Sequence, residues 1–250
     1  MSLEDRVCLV VGGVRALGLT IANSLRESGA IVLVTTSRSV DSPSSDPVLH
    51  LDVREPTSIG QAMEHIAEQH GRLDVVVYNP GLPGPSKPIE QIEDTAWAEV
   101  FEVNITGFFR VCRAALPLLR QSVGGGRIIA ISSMTGRRPL LHRTSYAATK
   151  MALTGFVRSL ALEVGQDGIT VNTVSPGYVE GERIRWVIAA QAEAQGTTPE
   201  EVRANVLAQS PLGSFVAPES VGRTVVFLAD CASRDITGTD INVTAGVWMD

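Results

Sequence analysis

The chain has 250 residues, 44% hydrophobic and 19% charged, enough for one sizeable globular domain with a full core. Its net charge of -6 and pI near 5.3 argue against nucleic acid as a partner, because phosphate backbones are held by clustered cations. The charged amino terminus leads into only five apolar residues, Val7 to Val11, too short for a signal peptide or a membrane span, so a soluble cytoplasmic protein is expected.

In chain order, apolar runs at 7–11, 31–35, 48–51, 73–78, 127–131, 170–175 and 240–243 read as strands. Most are continuous rather than alternating, the pattern of strands buried on both faces. Between them, residues 17–28, 57–70, 95–121, 145–165 and 218–228 carry apolar side chains at helical spacing. Strand-helix alternation of this kind predicts an α/β fold: a single-domain, doubly wound parallel sheet, Rossmann-like, with helices on both faces. Residues 39–47, rich in Ser, Asp and Pro, read as a loop. Residues 178–215 form a long insertion before the last helix, with helical periodicity at Ile184, Val187, Ile188 and Gln191 and again at Val202, Val206 and Leu207; it reads as a lid over a site.

Cys8, Cys112 and Cys231 are widely separated, lack Cys-x-x-Cys spacing and lie in apolar contexts, so all three are expected to be buried free thiols. The four histidines have no metal-ligand spacing, and no catalytic metal is expected.

The first strand-helix turn reads Gly12-Gly13-Val14-Arg15-Ala16-Leu17-Gly18. Glycines there let backbone amides approach a pyrophosphate at a helix N-terminus, although tight packing alone also explains them. A sharper signal is Tyr146, four residues before Lys150, in a chain with nineteen arginines and only two lysines. Chance would place Tyr-x-x-x-Lys in only about 2 to 3% of shuffled chains of this composition. Residues four apart share a helix face, so phenol and ammonium point into one space. A compact ammonium is poorly replaced by a planar guanidinium beside a proton-transferring tyrosine. A surface pair with a snorkelling lysine is the bland alternative.

Taken together these residues resemble the single-domain branch of the short-chain dehydrogenase/reductase family, nearly end to end. The family's Thr-Gly-x-x-x-Gly-x-Gly turn is similar to Val11 through Gly18, with Val11 for Thr and Ala16 for the middle Gly. Its Asn-Asn-Ala-Gly element resembles Tyr78-Asn79-Pro80-Gly81, where Pro80 has no amide hydrogen to donate. An adenine-side pair matches Asp52 and Val53, and a Pro-Gly after the sixth strand matches Pro176 and Gly177. The resemblance implies catalytic positions at Asn104, Ser133, Tyr146 and Lys150, with Asn104 fixing a water that links Lys150 to solvent. Helix capping or a kink is the other reading of Asn104. Ser133 is preferred to Ser132 because its separation from Tyr146 matches the family. The implied cofactor contacts are Gly12, Val14, Arg15, Leu17, Gly18, Thr36, Ser37, Arg38, Asp52, Val53, Asn79, Gly81, Tyr146, Lys150, Pro176, Gly177 and Val179. Where relatives often have a Thr touching the nicotinamide amide, this chain has Gly181.

The chemistry follows from the residue types. Reducing a ketone by hydride needs a proton donor at the carbonyl oxygen, and oxidising the alcohol needs the same group as base. Bringing a phenol from its ordinary pKa near 10 to neutrality takes roughly 4 kcal/mol, which Lys150 and a positive nicotinamide ring would supply together. Ser133 would hold the substrate oxygen against the phenol.

No acidic residue lies between Ile31 and Val40, where enzymes that use NAD place a carboxylate for the ribose hydroxyls. Thr36 stands there instead, and Arg15 with Arg38 would flank a 2'-phosphate, predicting NADPH over NADH; solvated surface arginines are the alternative. Leu140, Leu141, His142, Tyr178 and Trp186 are candidate pocket walls, and Arg143, Arg183 and Arg185 candidate anion contacts.

Three functions are compatible with the sequence. One is an NADPH-dependent reductase of ketones or dehydrogenase of secondary alcohols acting on a small molecule. The second is a 3-oxoacyl carrier-protein reductase, with Arg137 and Arg138 meeting an acidic carrier. The third is a non-enzymatic dinucleotide-binding sensor. The resemblance further implies a homo-oligomer, a tetramer or a dimer.

Overall fold

The computed structural model describes residues 2–38 and 48–249. The loop expected at 39–47 lies outside the described residues.

The strands β1 (Val7–Val11), β2 (Ile31–Thr36), β3 (Val48–His50), β4 (Val75–Tyr78), β5 (Arg127–Ile131), β6 (Thr170–Pro176) and β7 (Asp240–Val243) form one sheet in the order β3-β2-β1-β4-β5-β6-β7. Every pairing is parallel, as between Val7 and Ile31 or Val11 and Tyr78. The apolar runs are continuous because each strand is covered twice. Along β1, Val7, Leu9 and Val11 face a core shared with Ile59, Phe108 and Val157, whereas Cys8 and Val10 face a second core with Ile21, Leu25 and Val225. Helices α1 (Ala16–Glu27) and α8 (Pro218–Ala229) supply the second layer. The opposite layer is built by α2 (Pro56–His70), α4 (Gly107–Leu119) and α5 (Thr144–Val164).

Two sequence expectations differ from what is found. The helix expected over 95–121 is interrupted: α3 (Asp94–Phe101) passes through a π-turn (Glu102–Thr106) into α4. The wider turn seats the fully buried Asn104, and such π-bulges are frequent at functional sites. The expectation that all three thiols are buried also fails at Cys231. Cys8 and Cys112 are buried, but Cys231 is exposed, and its sulfur accepts a hydrogen bond from Arg6 Nη1 at 2.7 Å. It begins a short 3-10 turn after α8, at the end of the molecule where Arg6 needs acceptors.

Residues 182–208 add α6 (Glu182–Gln195) and α7 (Pro199–Ala208), which bury Ile184, Ile188, Ala192, Val202 and Val206 against one another, apart from the two main cores. Among the described residues no helix is long and apolar enough to cross a membrane.

Candidate active site

The strand order reverses between β1 and β4, which opens a crevice beyond their carboxyl ends, the place where open parallel sheets take ligands. The glycine turn lines it. Gly12 has a φ of 71°, its amide donates to Thr35 Oγ1 at 3.2 Å, and its carbonyl accepts from Asn79 Nδ2 at 3.1 Å. A Cβ on Gly18 would lie 2.1 Å from the Gly12 carbonyl oxygen, so no other residue fits there. Ala16 replaces a glycine yet keeps a φ of 47°, preserving the turn at some strain. Val14, Leu17 and Val179 are partly buried against the second core.

Around the crevice, Thr36 Oγ1 accepts from the Arg38 amide at 3.2 Å, while Arg15, Ser37 and Arg38 are exposed. Asp52 is buried, and its carboxylate takes a two-pronged contact from Arg54, with Nη2 at 2.6 Å. That hydrogen-bonded guanidinium holds it below the usual carboxylate range. Val53 lies against Gly107, whose Cβ would stand 2.7 Å from that of Val53. The Gly177 amide donates to Val243 at 2.9 Å just past Pro176.

Ser133, Tyr146 and Lys150 converge at the end of β5. Tyr146 and Lys150 are buried on α5, and the ammonium lies 5.6 Å from the centre of the phenol ring. Lys150 Nζ donates to the Ile131 carbonyl at 2.8 Å. A Cβ on Gly81 would come within 3.3 Å of that nitrogen, so the glycine keeps room beside it. Ser133 Oγ donates to Thr135 Oγ1 at 3.2 Å and accepts from the Thr135 amide at 3.2 Å, while Ser132 turns away and donates to the Lys150 carbonyl at 3.2 Å.

Burial pushes the Tyr146 phenol up, but Lys150, Arg183, Ser133 and Arg143 together bring it below the ordinary tyrosine value. Burial, with Arg183 adding to it, outweighs the pull of Tyr146 and brings Lys150 below the ordinary lysine value. Both shifts favour proton release, giving a charged phenolate at Tyr146 and working against the charged ammonium at Lys150.

Asn104 stands at the junction of three segments. Its Oδ1 accepts from the Leu82 amide at 2.7 Å, and its Nδ2 donates to the Leu82 carbonyl at 3.1 Å and to Thr149 Oγ1 at 2.9 Å. Both amide donors are thus spent, leaving one lone pair on Oδ1 for any further donor. Thr149, unremarked in the sequence, completes the link by donating to the Tyr146 carbonyl at 2.9 Å. A Thr three residues after the tyrosine, on its buried face, is the signal that would have found it.

The lid-region expectations divide. Arg183 and Arg143 reach the phenol ring, with guanidinium carbons 5.7 and 5.0 Å from its centre. Arg185 is exposed. Leu141, Trp186 and His142 are also exposed, the last at a φ of 60°, whereas Tyr178 packs partly buried against the α6–α7 core. Arg137 pairs with Asp240 at 3.6 Å, and Arg138 donates to Gln209 at 2.9 Å.

Residues 12–248 match the family model described as enoyl-(acyl carrier protein) reductase. The 3-oxoacyl-[acyl-carrier-protein] reductase FabG of Salmonella typhimurium is 33% identical, with 100% of each chain covered. The chain belongs to the short-chain dehydrogenase/reductase family. Galactitol 2-dehydrogenase of Agrobacterium fabrum is 32% identical over the whole of both chains. Actinorhodin polyketide ketoreductase, solved with NADPH, superposes with a TM-score of 0.89 at 30% identity, covering 99% of each chain. This short-chain dehydrogenase/reductase is therefore an oxidoreductase of a family that uses a nicotinamide dinucleotide, not a sensor that merely borrows the fold.

Proposed function

We propose that the protein interconverts a ketone and a secondary alcohol with NADPH, using Tyr146 as the proton donor and acceptor. The observation that carries this is a buried phenol held below its ordinary pKa by an ammonium on its own helix face, at the crevice of the sheet. The dinucleotide, when bound, supplies the hydride. The residues fit it: the Gly12–Gly18 contact leaves a cradle that a side chain would fill, at the N-terminus of α1.

Gly12, Val14, Arg15, Leu17 and Gly18 would hold the pyrophosphate through backbone groups. Thr36, Ser37, Arg38 and Arg15 would receive a 2'-phosphate, since none of them repels it and two attract it. Asp52 and Val53 would flank the adenine, and Asn79, Gly81, Pro176, Gly177 and Val179 the nicotinamide half. In reduction Tyr146 gives its proton to the nascent alkoxide, and Ser133 orients that oxygen. Lys150 stabilises the resulting phenolate. Asn104 holds the strand-end loop and α5 at fixed separation, and α6 and α7 close over the substrate. Exposed Phe109, Met151 and Leu162 on α4 and α5 would be covered in a homo-oligomer, a tetramer or a dimer.

Absorbance at 340 nm, followed with ketones and alcohols and each cofactor, tests the reading. Tyr146→Phe should keep NADPH binding while turnover collapses. Equal or better kcat/KM with NADH would remove the preference for the phosphorylated cofactor.

The names of several relatives favour a second reading, reduction of a 3-oxoacyl group on a carrier protein. Arg137, expected to meet the carrier, is drawn to Asp240 instead. A carrier-linked substrate should be turned over far faster than its short thioester mimic if this reading holds.

A further inference from the structure

Three cations surround one phenol. Arg143, Lys150 and Arg183 lie 5.0, 5.6 and 5.7 Å from the Tyr146 ring centre. Lys150 alone gives Tyr146 the neighbour its chemistry needs, so the two arginines call for another explanation.

Neither guanidinium forms an ion pair or a hydrogen bond among the described residues, and the Arg143 Nε is buried without a partner. The acidic residues nearest Arg183 in sequence do not neutralise it: Glu180 faces Arg203 across α6 and α7 at 3.9 Å, and Glu182 is exposed. Burial and the neighbouring Arg183 work against the charge on Arg143, and only Tyr146 favours it. Keeping the half-buried Arg143 guanidinium beside a second cation is costly unless an anion joins them. The turn that binds pyrophosphate lies elsewhere in the crevice, at the N-terminus of α1.

We propose that Arg143 and Arg183 form a carboxylate subsite, so that the substrate is a short oxo acid whose carboxylate lies close to the reacting carbonyl. This rests on the ketone-alcohol reading above. Two guanidinium forks match a carboxylate in shape as well as charge. Because both groups crowd the ring that protonates the carbonyl, the anion must stand within a few bonds of the reacting carbon, as in a 2-oxo or 3-oxo acid. One arginine precedes Tyr146 on the approach to α5 and the other stands in the first turn of α6, so binding the anion would also draw α6 toward the phenol.

The test compares kcat/KM with NADPH for 3-oxopentanoate, its methyl ester and 6-oxoheptanoate in the natural protein, Arg143→Gln and Arg183→Gln. The natural protein should favour 3-oxopentanoate over both others. Each variant should lower the acid-to-ester ratio about tenfold to a hundredfold, the loss of one charged hydrogen-bond partner. The ratio cancels any effect on Tyr146, which both substrates share. An ester turned over as well as the acid by the natural protein would overturn the proposal. So would an unchanged ratio in Arg183→Gln, where the exposed side chain can be lost without unfolding; weakened NADPH binding in that case would assign Arg183 to the cofactor instead.

Calorimetric titration of 3-hydroxypentanoate into the NADPH-bound protein, which cannot turn over, separates this inference from the reaction. If no carbonyl compound is reduced but both variants lose this binding, the reaction assignment fails and the subsite stands. If ketones are reduced and the acid binds no better than its ester, the reverse holds.

Discussion

Lys150 and Tyr146 share one face of α5, with the ammonium 5.6 Å from the ring centre and tied to the Ile131 carbonyl at 2.8 Å. The space is sized for an ammonium, because even a methyl group on Gly81 would approach the nitrogen to 3.3 Å. Lys150→Arg keeps the charge but puts a planar fork where a single nitrogen fits. Its kcat should fall by about a hundredfold or more, the scale of losing positioned acid-base catalysis. Circular dichroism will show whether the fold persists; a near-natural rate would mean that lysine's scarcity in this chain carries no functional meaning.

The pH profile follows from the cations around Tyr146. Burial raises the phenol's pKa, and Lys150, Arg183, Ser133 and Arg143 more than offset it. With the phenolate as the proposed base in alcohol oxidation, the rate should climb as pH rises through the lowered pKa and level off above it. In ketone reduction the phenol is the donor, so the rate should be flat below that pKa and decline above it. Arg183→Gln removes one lowering charge and should move both limbs to higher pH, measured as kcat/KM for a neutral ketone and its alcohol. A move to lower pH would contradict this electrostatic account.

The strands were legible because burial on both faces leaves an uninterrupted apolar run, as at Val7–Val11. Tyr146 and Lys150 were legible because helical spacing is local. The π-turn was not, since one added residue in the Glu102–Thr106 turn barely disturbs an apolar period and its cause, the Asn104–Leu82 contact, spans 22 positions. Pairing of Arg137 with Asp240 was equally hidden, because it joins the end of β5 to β7. Exposure of Cys231 escaped for a related reason: apolar neighbours in sequence did not reveal that a 3-10 turn carries it to the surface.

The adjacent serines should separate cleanly. Ser133 is among the groups that lower the Tyr146 phenol, whereas Ser132 is buried and donates to the Lys150 carbonyl. Ser133→Ala should lower kcat by about tenfold to a hundredfold with little change in thermal midpoint, on the scale of one hydrogen bond in the transition state. Ser132→Ala should instead lower stability by about 1 kcal/mol and act on rate only through α5. Thermal melts and steady-state kinetics on both variants check the assignment, and equal kinetic losses would undo it.

Cofactor choice should turn on Thr36. Its hydroxyl accepts from the Arg38 amide, and no carboxylate stands nearby on β2. Thr36→Asp would bind ribose hydroxyls and repel a 2'-phosphate. The ratio of kcat/KM for NADPH over NADH should drop about tenfold or more, as expected when a charged contact changes sign. An unaltered ratio would place the discriminating contacts away from β2.

Asn104 joins the loop after β4 to the helix that carries Tyr146 and Lys150. Its amide serves the Leu82 amide, the Leu82 carbonyl and Thr149, and Thr149 in turn holds the Tyr146 carbonyl. Replacing it with Leu, similar in size, would leave the Leu82 amide and carbonyl without these partners and take one bond from Thr149, and each unpaired buried group costs about 1 to 3 kcal/mol. Asn104→Leu should therefore unfold at markedly lower urea, whereas Tyr146→Phe, which removes chemistry but no strut, should unfold close to the natural protein. Asn104→Asp keeps the acceptor for Leu82 but loses both donors, so its midpoint should fall between the two. If all three midpoints coincide, the amide contributes nothing to the frame, and its role would have to be sought in the proton path from Lys150 alone.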